Sequence, residues 1–192
     1  SAPLLFETFD NPLSEEWELT SSSLAVQWSV LENQEGEEYL AYGNTPDWSP
    51  LLSEPHQAIL ITPEVALPSG VASTLSLDLW PEIQAEPFLD ILTLEVQTAD
   101  GVQHPILDKT SLQLSSWQTL VLPLHAWAGQ TIRLILRYDS INTDNNQSLG
   151  LAIDTIQIES TCTPLSCAEA ADCDDGLVAT NENCVEGSCS YA

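Results

Sequence analysis

Between Leu4 and Glu159 the apolar residues recur at every second position in short runs, and that spacing confines the chain to β-structure. Leu75, Leu77 and Leu79 share one face against Ser76 and Asp78. Ile132, Leu134, Leu136 and Tyr138 share one against Arg133 and Arg137. The pattern predicts strands at Leu4–Phe9, Leu24–Leu31, Glu38–Tyr42, Ala58–Thr62, Thr74–Trp80, Phe88–Thr98, Trp117–Leu122, Thr131–Tyr138 and Leu149–Glu159, with prolines and glycines between them. Only Leu13–Leu19 and Leu124–Ala128 suit a helical turn. Strands without intervening helices exclude an α/β fold. The expected class is all-β, a two-sheet antiparallel β-sandwich, which unequal strand lengths favour over a closed barrel. Its core would take the Leu, Ile and Val faces with a share of Trp17, Trp28, Trp80, Trp117 and Trp127.

Charge narrows the partners. The 192 residues include 29 Asp and Glu against only Lys109, Arg133 and Arg137, a formal charge of −26. Such a chain repels phosphate backbones and anionic lipid, so nucleic acid and membrane surfaces are poor partners. No stretch is long or apolar enough to span a bilayer. Most of the acids read as a solubilising surface.

Three acids fall where apolar residues are expected. Glu7 has the parity of Leu5 and Phe9, Asp90 that of Phe88, Leu92, Leu94 and Val96, and Asp154 that of Ile156 and Ile158. A carboxylate in a core requires a counter-charge. Arg133 or Arg137 can serve one. Calcium, which accepts carboxylate, carbonyl and amide oxygens in irregular geometry, can serve others. Its expected ligands are Glu7, Asp10 and Asp154, provided the first and last strands are neighbours. The competing reading is a bulge that resets the parity of the last strand, since Leu149, Leu151 and Ile153 alternate out of phase with Ile156 and Ile158.

All five cysteines, Cys162, Cys167, Cys173, Cys184 and Cys189, follow residue 161. The chain therefore divides into a sandwich over residues 1–160 and a cysteine-rich tail over 161–192. A tail of that length has little core of its own, so a small disulfide-rich unit is expected, and with it an extracellular or cell-surface setting. Soft-metal binding is the competing reading, but no Cys-x-x-Cys pair occurs. Five is odd, so one thiol is left over. The start of the chain lacks a basic n-region, so any secretory signal has been removed or lies outside this sequence.

Catalytic signatures are missing. There is no G-x-S-x-G elbow, H-E-x-x-H pair or phosphate-cradling glycine loop, and His56, His104 and His125 sit in unremarkable contexts. The chain is expected not to be an enzyme. Among binding surfaces, an aromatic loop offers the clearest candidate: Trp48 stands between Pro46 and Pro50, with Tyr39 and Tyr42 nearby. The bland alternative is that Trp48 folds back as a lid on the sandwich.

Several segments in order resemble a known family. Glu7-Thr8-Phe9-Asp10-Asn11 followed by Trp17, then Ala58-Ile59-Leu60-Ile61-Thr62-Pro63, then Trp117-Gln118-Thr119 through Leu122-Pro123-Leu124, are similar to motifs of secreted bacterial jelly-roll adhesin modules, the cleaved-adhesin and MAM-like group. Ala128-Gly129-Gln130-Thr131-Ile132-Arg133-Leu134 and the closing Leu151–Ile158 continue the match. The resemblance implies a jelly roll with structural calcium at Glu7, Asp10 and Asp154. Thr155 stands where the family often has a second acid. In the tail, Cys173-Asp174-Asp175-Gly176 through Cys184–Cys189 resembles repeats of myxobacterial surface proteins, in which a cysteine takes the place of Ala179.

The resulting expectation is a non-catalytic adhesion or structural module of a larger secreted or surface protein, stiffened by calcium. Its partner would be a glycan or a surface protein. The alternative is a carbohydrate-binding module using Trp48, Tyr39 and Tyr42.

Overall fold

The computed structural model describes the backbone of residues 3–33, 36–43, 55–86, 88–141, 150–164, 182–185 and 188–191, and side chains as far as residue 160. In chain order the strands are β1 (Leu5–Glu7), β2 (Glu18–Ser21), β3 (Gln27–Glu32), β4 (Glu38–Gly43), β5 (Gln57–Ile61), β6 (Val65–Ala66) and β7 (Val71–Glu82). They continue with β8 (Ile91–Thr98), β9 (Gln103–Asp108), β10 (Gln118–Pro123), β11 (Thr131–Asp139), β12 (Gly150–Pro164), β13 (Glu182–Val185) and β14 (Ser188–Tyr191). The first sheet runs β10-β7-β12-β4-β3, with β1 beside β12. The second runs β2-β5-β11-β8-β9, with β6 beside β11. Pairing in both is antiparallel.

The alternation read from the sequence is what the sheets bury. Leu40 and Tyr42, Leu75, Leu77 and Leu79, and Leu151, Ile153, Ile156 and Ile158 come from the first sheet. They share one cluster with Leu60, Leu92, Leu94, Val96, Leu134, Leu136 and Tyr138 of the second. Each fully buried Leu or Ile contributes roughly 1.5–3 kcal/mol, so this seam holds the sheets together. The out-of-phase halves of β12 both point inward because its register against β7 shifts between Ile153 and Ile156. One strand can serve one core only by inserting that bulge. At the start of β12, Gly150 has φ +101, and a Cβ there would lie 2.1 Å from the carbonyl oxygen of Tyr42. No other residue fits.

Local departures from the expected strands have simple causes. β8 begins at Ile91 and not at Phe88, because Asp90 turns the chain at φ 46 and leaves Phe88 71% exposed. Part of the segment expected as a helical turn at 13–19 belongs to β2, where Leu19 lies opposite Leu60 in the second sheet. Leu124–Ala128 does hold a single 3₁₀ turn, His125–Trp127.

The disulfide-rich tail, and with it the cysteine-repeat resemblance, is corrected. No cysteine pair stands at bonding distance among the described residues. β12 runs on through Cys162 to Pro164, which pairs with Val71. β13 and β14 form a hairpin of their own, with Cys184 and Cys189 as backbone partners. Backbone ladders, on the first sheet and within the hairpin, supply the order that cysteine density alone attributed to bridges. Cys167 and Cys173 lie outside the described residues.

Candidate functional site

On β7 the residues that alternate with Leu75, Leu77 and Leu79 point away from the core, and Trp80 is one of them. Across the sheet, Ala152 lies opposite Trp80 on one side and Ala41 on the other. Ala41 alternates with buried Leu40 and Tyr42, so Tyr39, two residues earlier, also faces outward. Trp117 precedes β10, whose Gln118 pairs with Leu79, which sets its ring beside Trp80. The Trp80 and Trp117 ring centroids are 5.9 Å apart, and those of Tyr39 and Trp117 are 6.1 Å apart and nearly perpendicular. Two alanines form the floor under three rings, and both are at most 1% exposed. Larger side chains at Ala41 or Ala152 would fill the space between them.

These rings line a cavity of about 300 Å³ together with Asn33, Glu37, Glu38 and Asp154. The β12 bulge makes Asp154 part of it, since Asp154 and Thr155 together stand opposite the single residue Asp78 of the partner strand. Burial, and then the carboxylates of Asp78, Glu37 and Asp10, push the Asp154 carboxyl up. Asn33 donates from its amide to Glu37 at 2.9 Å and accepts from the Glu37 backbone N–H, which fixes one wall. Asp78 accepts from the Thr119 hydroxyl. Aromatic faces with carboxylate and amide rims are the surface that sugar rings and hydroxyls require: an apolar floor for C–H faces and acceptors for O–H groups.

The bases lie elsewhere. Arg133 on β11 pairs with Glu18 at 2.7 Å, and Arg137 with Glu95 at 3.0 Å. Lys109, 7% exposed, donates to the carbonyls of Gln84 at 2.9 Å, Glu86 at 2.5 Å and Leu89. These are all the Lys and Arg of the chain. Asp90, 2% exposed, accepts from the Gln84 backbone N–H at 2.8 Å. Burial pushes the Lys109 ammonium down, and the charges of Asp90 and Glu86 oppose that shift. The expected arginine partner is absent: the direct contact to Asp90 is the Gln84 N–H, and Lys109 acts on it from beyond ion-pairing distance.

The other expected site residues are distributed as follows. Glu7 and Asp10 flank Phe9, a turn residue at φ 62. Glu7 accepts from the Phe9 N–H at 2.7 Å and Asp10 from the Thr8 hydroxyl at 2.7 Å. β1 does pair with β12, Glu7 opposite Ile156, so first and last strands are neighbours. Asp10 is near enough to repel Asp154. Even so, no three His, Cys, Asp or Glu converge as a metal-holding group among the described residues. Tyr39 lines the cavity. Tyr42 is fully buried, its hydroxyl 3.2 Å from Ser21 Oγ and 3.1 Å from His56 Nδ1, and serves the core. Trp48 lies outside the described residues.

Of the five tryptophans of which the core was expected to take a share, Trp80 and Trp117 fall outside it: Trp117 is 46% exposed and both face the cavity. The signal was available: Trp80 alternates with three leucines, so the parity that buries Leu79 turns its neighbour outward.

No family model matches the chain, and no curated protein matches it. Solved structures do. The K1 cleaved adhesin domain of Lys-gingipain from Porphyromonas gingivalis W83 is 14% identical over 82% of this chain and 98% of that one, with a TM-score of 0.54. The fold is shared; the sequence is not. The carbohydrate-binding and catalytic modules of xylanase 10B from Clostridium thermocellum, solved with xylohexaose, match at 13% identity over 88% of this chain, with a TM-score of 0.51. This chain spans 30% of that longer one. The jelly-roll sandwich read from the sequence is therefore the observed fold.

Proposed function

We propose that the chain is a non-catalytic, extracellular glycan-binding module whose ligand lies across the outer face of the first sheet on Tyr39, Trp80 and Trp117. One observation carries the reading. Three aromatic side chains, one each from β4 and β7 and one from the residue before β10, converge beside Ala41 and Ala152 on a face that has no need of them for the core. An exposed aromatic cluster of this kind marks a binding surface. The likeness in fold to xylanase modules solved with xylohexaose supports the same direction. This favours carbohydrate binding over a purely structural role in adhesion.

The test is an oligosaccharide array followed by calorimetry on the wild type and Trp117→Ala. Losing an aromatic anchor costs about 2 kcal/mol or more, roughly thirtyfold in affinity. A wild type that binds no glycan, or a variant that binds as well as wild type with its melting temperature retained, would falsify the assignment.

Calcium at the joined chain ends is a separate proposal. Its support is the β1–β12 pairing and the approach of Asp10 to Asp154, and an ion there would need backbone carbonyls and water to complete its shell.

A further inference from the structure

The aromatic cavity has one chemical property that a general glycan site does not need. Its ionisable rim is wholly acidic: Glu37, Glu38 and Asp154 line it, and Asp78 lies across the β12 bulge. Every Lys and Arg of the chain is committed elsewhere, to Glu18, Glu95 and the carbonyls around Lys109. His56 stacks on Tyr42 and Tyr138, and His104 on Trp127. Nothing basic among the described residues reaches this wall. Tryptophan and tyrosine faces attract cations through the ring quadrupole, and the attraction grows as the site is desolvated. Carboxylates within a few ångströms add Coulomb attraction that salt screens only partly in a recess. Neutral sugars use the rings and the carboxylate acceptors but bring no charge of opposite sign, and uronates or sulfated sugars are repelled.

We infer that the cavity selects glycans bearing free ammonium groups, the class of de-acetylated amino sugars, with the ammonium seated between the Trp80, Trp117 and Tyr39 rings and the Glu37 and Asp154 carboxylates. The inference rests on the glycan-binding reading and deepens it. It has no need of a metal, and it assigns a use to the acids that the fold leaves without a basic partner.

The experiment compares three trisaccharides of one β-1,4 backbone: the glucosamine trimer, its fully N-acetylated form and cellotriose, with a galacturonate trimer as the anionic probe. Calorimetry at low ionic strength should show the glucosamine trimer bound at least roughly tenfold more tightly than either neutral trimer, with no binding of the galacturonate. Asp154→Asn combined with Glu37→Gln should bring the amino and neutral trimers to parity. Trp117→Ala should weaken all of them, and Tyr39→Ala provides a second ring variant if the first does not fold. The exposed pair Glu15 and Glu16, on the loop leading to β2, provides the charge control: Glu15→Gln with Glu16→Gln should leave the preference intact. Equal binding of amino and neutral trimers overturns the ammonium inference and leaves glycan binding standing. Loss of preference in the control pair overturns it too, because net charge and not the cavity would then be the cause. If no trimer binds wild type, both readings fall.

Discussion

The turn at Asp90 and the bulge at Asp154 each hold a carboxylate beside aromatic rings, and they are furnished in opposite ways. Around Asp90 the chain brings its own cation: Lys109 is held by three backbone carbonyls, and the Gln84 N–H donates to the carboxylate. Burial, and then the charge of Asp90, push the Tyr138 phenol up, as expected for a ring sealed in against an anion. Around Asp154 the neighbours are Asp78, Glu37 and Asp10, all of the same sign. A carboxylate in the interior must be compensated by folding itself, because no ligand can reach it. One at an outward recess can be left for a ligand to compensate. The difference separates a structural acid from a binding one, although both fall at apolar parity in the sequence.

The contrast can be broken most severely at Lys109. Lys109→Met should leave the carbonyls of Gln84, Glu86 and Leu89 without their donor and remove the charge nearest Asp90, at about 1–3 kcal/mol for each buried acceptor left unsatisfied, read in urea denaturation. A loss under about 1 kcal/mol would mean that the Gln84 N–H and water suffice, and the two acids would no longer differ in kind. Calcium offers the next largest effect. If an ion bridges Asp10 and Asp154, free calcium at a hundredfold its dissociation constant adds about 2.7 kcal/mol, and EDTA lowers the melting temperature accordingly. Asp154 would then be a compensated acid like Asp90, and Asp154→Asn would abolish the EDTA response. An unchanged melting temperature keeps the contrast.

Trp117→Ala should cost only about 2 kcal/mol of stability, the worth of its two aromatic pairs, while removing most glycan affinity. A loss several times larger would make the cluster part of the scaffold. The smallest effect has the opposite sign. The folded state raises the Asp154 carboxyl above its unfolded value, so it holds the proton longer and stability declines as pH rises through that window. At neutral pH the ionised group is a cost, reduced by solvent since the residue is only half-buried. Asp154→Asn should therefore stabilise the protein by less than about 1 kcal/mol at pH 7. The gain should vanish in titrations below about pH 4, where the wild-type carboxyl is protonated in both states. Destabilisation at pH 7 would show that Asp154 already has a favourable partner.

Much of this was legible in the residues. Leu75, Leu77, Leu79, Leu134 and Leu136 declared their faces through alternation alone, and the phase break in β12 declared its bulge. Tyr39 was legible as a ligand-contact candidate; the outward parity of Trp80 was equally readable, but tryptophan is so often a core residue that size outweighed position. Asp90 is buried as its parity implied, but Phe88 is not, because the turn at φ 46 starts β8 only at Ile91 and parity does not carry across a turn.

Period-two spacing is a local property, so the strands, the two-sheet core and the shortage of basic residues were determined by the sequence itself. Tertiary structure decided which strands became neighbours. It brought residue 39, residue 80 and residue 117 over one pair of alanines, set Lys109 against the loop at 84–90, and left Asp154 among other acids. Those outcomes depend on cross-strand order and register, which join positions tens of residues apart and leave no periodic trace in the chain.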